Sequence, residues 1–190
     1  STGSLLMLLA ANCMEYRAWE AELAYLRAEY RGDVPAAKDA REVSKRLYAR
    51  TAERRYEAFK RAMAAYDFDP AAEPLECPFL FSDQDELTFL LGLLTGMQGI
   101  VNDSNSGALA GVPRNIAPQA ERAAQCVDNE KWGGLPNAVR ALVWLLLPDT
   151  RPDLSPDPWQ VMENSAELSV ESGIRASYAV QVVAAETFGR

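Results

Sequence analysis

Apolar residues recur at close to helical spacing along almost the whole chain, and nowhere do they alternate with polar ones for long enough to make a sheet. Leu5, Leu8, Leu9, Met14, Tyr16, Trp19, Leu23 and Leu26 mark out a first helix, from Leu5 to about Tyr30. Gly32 and Asp33 break it, and Pro35 is well placed in the first turn of the next. That second helix extends to about Tyr66. Val43, Leu47, Tyr48, Ala52, Tyr56, Phe59, Met63 and Tyr66 form one continuous stripe along it, with charges on the other side. The proline-punctuated "DFDPAAEPLECPFLFSDQ" reads as a loop. Ser82, with Asp85 three residues on, reads as the N-cap of a third helix that "NDSNSG" ends. A short helix in "PQAERAAQCVDNE" follows, then one from Pro136 that stops before Pro148. Another runs from Pro158 to about Ser172, and a last one follows Gly173. The pattern predicts an all-α fold of about seven helices in antiparallel pairs.

The third helix is the unusual one. From Leu87 to Val101 it has fifteen residues without a charge. As a helix they rise about 22 Å, short of the roughly 30 Å hydrocarbon core of a bilayer. Charges stand at both ends, so the segment is expected to be a buried helix enclosed by others and not a membrane span. Gly92, Gly96 and Gly99 share one of its faces, although each costs about 1 kcal/mol against Ala in a helix. Two readings stand open for that face: close approach of a neighbouring helix, or a groove that holds a ligand.

Composition narrows the chemistry. The 190 residues, 48% hydrophobic, suit one globular domain spanning residues 1–190. A net charge of −8 argues against nucleic acid as a main partner, since phosphate binding needs clustered Lys and Arg. Basic residues do cluster from Arg41 to Arg61, but Glu42, Glu53 and Glu57 interleave with them, as on a solvated helix face. An anion or lipid-headgroup contact is the alternative there. With no histidine, the commonest general base and zinc ligand are both missing, and an enzyme is not expected.

Cys13, Cys77 and Cys126 are too far apart for a CxxC pair. Cys77 and Cys126 either bridge, in an oxidising compartment, or stay as unpaired thiols; Cys13, inside an apolar helix, reads as core. The stretch "SLLMLLAANC" is similar to the end of a lipoprotein signal. It lacks a basic leading region, however, and Asn12 is a poor residue before a lipidated cysteine, so it reads as the first helix of the fold.

Candidate sites are few. Asp83, Asp85 and Glu86 stand where carboxylates favour the positive end of a helix dipole. "NDSNSG" places Asp103 and Asn105 in part of a calcium-loop spacing but lacks the rest, and a turn explains them better. Arg140 lies among Val139, Ala141, Leu142, Val143, Trp144 and Leu145. It either snorkels to the surface or serves as a buried cation for a carboxylate of the protein or of an organic-acid ligand. Trp132 and Trp144 stand on either side of it in sequence, as core or as the wall of a pocket. Gly92, Gly96, Gly99, Asn102, Arg140 and Trp144 are thus the candidate ligand-contacting residues. No residue is assigned a catalytic or metal-binding role, and no cofactor is expected.

The helix pairs bring tetratricopeptide-like repeats to mind, although no clean 34-residue period runs through the chain. "LLMLLAANCMEYRAWEAELAYLRAEY" is followed by "RLYARTAERRYEAFKRAM", "DELTFLLGLLTGMQGIVNDS" and "PRNIAPQAERAAQCVDNE". In that order these segments resemble the TatT family, the tetratricopeptide-like periplasmic components associated with TRAP transporters. "KWGGLPNAVRALVWLLLPDTRPDL" departs from the family pattern, and no lipidated N-terminal cysteine is visible. The resemblance implies an exported, lipid-anchored, tetratricopeptide-like α-α superhelix able to form homo-oligomers. It also implies a periplasmic substrate-binding protein as partner and a small organic-acid or hydrophobic ligand. The competing expectation is a cytoplasmic adaptor or immunity-type protein that meets its partner through an acidic surface.

Overall fold

The computed structural model describes residues 2–190. Seven α-helices carry the fold, and no strand occurs among the described residues. They are α1 (Thr2–Tyr30), α2 (Val34–Ala65), α3 (Asp83–Ser106), α4 (Ile116–Ala124), α5 (Leu135–Leu146), α6 (Pro158–Ser172) and α7 (Ala176–Phe188). The expected all-α class and helix order are as read from the periodicity. Among the described residues no helix is long and apolar enough to cross a membrane. The chain forms two compact units. One holds the described residues through Asp67 together with Leu87–Ile116; the other holds Phe68–Glu86 and Ala117–Arg190.

In the first unit α2 runs antiparallel to both α1 and α3. Asp33 caps it by accepting from Ala36 N at 3.2 Å, and Pro35 occupies the first turn. The α1 surface turned to α2 is made of small residues, with Ser4, Ala11, Ala18 and Ala28 buried beside Met14. Small residues let the backbones come close enough for side chains to reach across to carbonyls. Ser4 Oγ donates to Ala58 O at 2.8 Å, and Arg54 donates to Ala10 O at 2.9 Å.

The large apolar residues of α1 point elsewhere. Leu9, Tyr16, Trp19, Leu23 and Leu26 are all exposed, and Cys13, expected in the core, is exposed with them. Apolar periodicity located the helix, but residue size decided which face went inward.

At the start of α3, Ser82 Oγ accepts from Asp85 N at 3.3 Å and donates to Asp85 Oδ2 at 2.9 Å, a reciprocal cap. At its end Asp103 accepts from Ala110 N at 2.8 Å and Val112 N at 2.9 Å. Its carboxylate is thus used in folding the next loop back.

In the second unit a disulfide joins Cys77 to Cys126, with Cα atoms 5.3 Å apart, and ties the proline-rich loop to the end of α4. Arg122 holds the same loop by donating to Ala72 O at 2.6 Å. Helices α5, α6 and α7 share a small core of Ala141, Trp144, Met162 and Ala184. Gly134, at φ 76°, starts α5 in left-handed conformation. A Cβ there would stand 2.6 Å from Ser165 Cα and O, so glycine is required both by conformation and by the nearness of α6.

Candidate functional site

The glycine row of α3 is filled by a helix. A Cβ on Gly92 would lie 2.4 Å from Ala62 Cβ, and one on Gly96 would lie 2.7 Å from Phe59 Cδ2 and 3.0 Å from Ile116 Cγ2. Gly99 is looser, with its nearest neighbour, Arg55 Cβ, at 3.4 Å. Between the two readings of that face, close helix approach is the one found. No space for a ligand is left at Gly92, Gly96 or Gly99, because α2 occupies it.

Asn102, on the same helix, belongs to a buried polar cluster centred on Arg55. Arg55 is 2% exposed, although the cluster of basic residues around it reads as a solvated face. Its guanidinium donates to Glu15 Oε2 at 2.6 Å, Asn12 Oδ1 at 3.0 Å, Thr95 Oγ1 at 3.2 Å and the Gln98 side chain. Asn102 Nδ2 donates to the other oxygen of Glu15 at 2.8 Å. The ion pair thus joins α1 to α2, and hydrogen bonds from Arg55 and to Glu15 bring in α3. The signal was available in the sequence. Arg55 falls on the line Ser44, Tyr48, Thr51, Arg55, Ala58 and Ala62, whose members are all buried. An arginine on a buried helical stripe needs a carboxylate opposite. Arg55 Nε and Asn102 Oδ1 find no partner among the described residues.

Arg140 meets its carboxylate within the protein. Glu121, 4% exposed, accepts from Arg140 Nε at 2.9 Å and Trp144 Nε1 at 3.2 Å. The guanidinium also lies over the Trp144 ring at 5.0 Å. Of the sequence alternatives, pairing with a protein carboxylate is the arrangement present, with Arg140 itself half-buried and its partner Glu121 buried. An organic-acid ligand would have to displace Glu121.

The acidic start of α3 is likewise engaged. Lys131 Nζ sits 2.7 Å from Asp83 and 2.9 Å from Glu86, and Trp132 Nε1 donates to Glu86 at 2.6 Å. The lysine holds the Asp83 carboxyl below its usual value, chiefly through their hydrogen bond. Among the described residues no group of three or more His, Cys, Asp or Glu is arranged to hold a metal ion.

Helix α6 carries a run of carboxylates that join no ion pair among the described residues. A groove of about 500 Å³ runs between α6 and α7. Glu163, Glu167 and Glu171 stand along it at successive turns of α6, with Ala166, Val170, Tyr178 and Gln181 as the remaining lining. Like charges four residues apart destabilise a helix by about 0.2–0.5 kcal/mol per pair. Val170 is 59% and Tyr178 41% exposed, so this open surface sets apolar side chains beside the glutamates. That arrangement suits a cationic amphipathic segment. The spacing of the glutamates was readable in the sequence, but its pairing with α7 was not. No family model, no curated protein and no solved structure matches the chain.

Proposed function

We propose that this chain is a non-enzymatic helical binding module that receives a basic segment of a protein partner in the α6–α7 groove. The observation that carries the reading is the unpaired glutamate ladder beside the exposed Val170 and Tyr178. It keeps repulsive energy in the isolated protein that a partner's lysines or arginines would relieve. The resemblance to TatT proteins supplies the setting: an accessory protein of a TRAP-type solute transporter, with the substrate-binding component as partner. The Cys77–Cys126 disulfide supports an oxidising compartment such as the periplasm. An intracellular immunity-type adaptor would use the same acidic surface and is the second reading; the disulfide weighs against it.

A fluorescently labelled, lysine-rich amphipathic helical peptide is the first probe. Anisotropy should show saturable binding that weakens as salt rises. The variant E163Q/E167Q/E171Q should bind at least about tenfold more weakly, from the loss of three charge contacts. Equal binding by the variant, or none by the parent, would overturn the reading. Capture from a periplasmic extract, compared between the two proteins, then tests the setting. Recovery of a solute-binding protein by the parent alone supports the transporter role.

A further inference from the structure

The first helix carries two seams of seven-residue period on opposite sides. One is the small-residue seam packed on α2. The other, in alternating steps of three and four, is Leu5, Leu9, Asn12, Tyr16, Trp19, Leu23, Leu26 and Tyr30. A strict 3.5-residue spacing of uncharged positions is the pattern by which two helices wind around each other. Six of its eight members face outward, whereas Leu5 is half-buried and Asn12 turns its side-chain oxygen inward to Arg55. Leu9 is 57%, Tyr16 63%, Trp19 44%, Leu23 50%, Leu26 48% and Tyr30 93% exposed, with Leu6 at 62% beside them. Tyr16 and Trp19 already pack edge to face at 5.1 Å, making an aromatic centre.

We infer that this seam pairs with the same seam of a second copy, antiparallel, giving a two-fold dimer. This surface is independent of the α6–α7 groove. The register closes on itself. With the two-fold axis midway between Tyr16 and Trp19, Tyr16 of each copy meets Trp19 of the other. Leu9 then meets Leu26 and Leu5 meets Tyr30, while in the remaining layer Leu23 packs beside the helix backbone at Asn12, whose side chain is held by Arg55. Every layer sets a first-position residue of the heptad against a fourth-position one, and the two helix dipoles oppose. Such self-complementarity is what a closed two-fold interface requires.

The area also fits. Large side chains bury roughly 150–250 Å² each when fully covered. The exposed fractions of these seven residues therefore leave on the order of 800 Å² per copy, about what a standard interface takes from each partner. A membrane surface fits less well, since the flanking charges Arg17, Glu20, Glu22, Arg27 and Glu29 are net acidic.

The test is sedimentation velocity on the full oxidised protein with L9E and L26K, separately and mixed. Both positions are exposed in the single chain, so circular dichroism should show both variants folded. The parent should be dimeric at about 10 µM, and each variant should dissociate at least about tenfold more readily. Mixing the two restores a dimer, because Glu at position 9 then faces Lys at position 26 while the other such layer remains Leu against Leu. A parallel pair or a contact with another surface gives no such rescue. A parent that stays monomeric at about 100 µM, variants as dimeric as the parent, or a mixture that stays monomeric would each overturn the inference.

Discussion

Adding one methyl group to α3 should have opposite effects at the two ends of its glycine row. In an ordinary helix interior Gly→Ala stabilises by about 1 kcal/mol. At Gly99 nothing opposes that gain, because the nearest atom to the new Cβ is 3.4 Å away. At Gly92 the new Cβ would be 2.4 Å from Ala62 Cβ, whereas carbon atoms rest about 3.5–4.0 Å apart. Ala62 has no rotamer by which to withdraw, so α2 and α3 must separate by about 1 Å. That separation also loosens the contact of Phe59 with Gly96. Overpacking of this kind costs about 1–3 kcal/mol. Against the propensity gain, G92A should be destabilised by about 1 kcal/mol net, while G99A is stabilised by about 0.5–1 kcal/mol. Urea unfolding followed by circular dichroism reads both. With a slope of about 2 kcal/mol per molar, the G92A midpoint falls by about 0.5 M and the G99A midpoint rises by about 0.3–0.5 M. The double variant A62G/G92A moves the methyl group from one helix to the other and should return to within about 1 kcal/mol of the parent. A G92A midpoint that rises like that of G99A would refute close helix contact and reopen the groove reading for the row.

Other expectations follow from the same contacts. R55A leaves Glu15 without its cation inside the three-helix unit and should cost about 3 kcal/mol in the same urea experiment. Adding E15A should recover part of that, since the buried charge is then gone. Reducing the Cys77–Cys126 disulfide, which closes a loop with a sequence separation of 49, should remove about 4 kcal/mol from the second unit. Paired thermal melts with and without a reductant check it, and an unchanged Tm would count against a structural role for the bridge. Hydrogen bonds from Lys60 and Arg61 hold the Glu57 carboxyl down at about 2, from an ordinary value of 4.5. Its folded-state pKa is depressed, so its contribution to stability is present above about 4.5 and lost as pH falls towards about 2. Carboxyl-detected NMR titration should place Glu57 near the lower value in the parent and close to the ordinary value in K60A/R61A.

Much of the fold was legible because the helix boundaries are chemically marked. Gly32 with Asp33 and Pro35, Ser82 with Asp85, Pro136, Pro158 and Gly173 each announce an end through backbone conformation or a cap, and these are local properties. What could not be read is which surfaces meet. Arg55 looks like its neighbours Arg54 and Lys60 in one dimension, and only the buried line through Tyr48, Thr51 and Ala58 distinguishes it. Arg140 was recognisable as a cation among apolar residues, but Glu121 lies nineteen positions away on another helix. The α6 glutamates carry their spacing in the sequence, whereas the groove they rim exists only once α7 packs beside them.

The first helix shows why hydrophobicity alone does not choose the inward face. If Leu9, Tyr16, Trp19 and Leu23 faced α2, their bulk would set the helix axes towards the wide end of the roughly 8–10 Å range of helix pairs. Ser4 and Arg54 would then fall short of the carbonyls of Ala58 and Ala10, and Ser44 Oγ of Ala18 O, which it reaches at 3.4 Å. The alanine and serine face gives up large-residue burial in exchange for close backbone contact and these cross-helix hydrogen bonds. It also sets Glu15 within reach of Arg55, so the ion pair and the small-residue seam depend on each other. Leucine and aromatic surface is left over on the far side, where burying it would stabilise at about 25 cal/mol per Å². Nothing within the described first unit covers that face. A second helix presenting the same heptad would, and the strict period of the exposed residues, which packing against α2 does not require, is then explained.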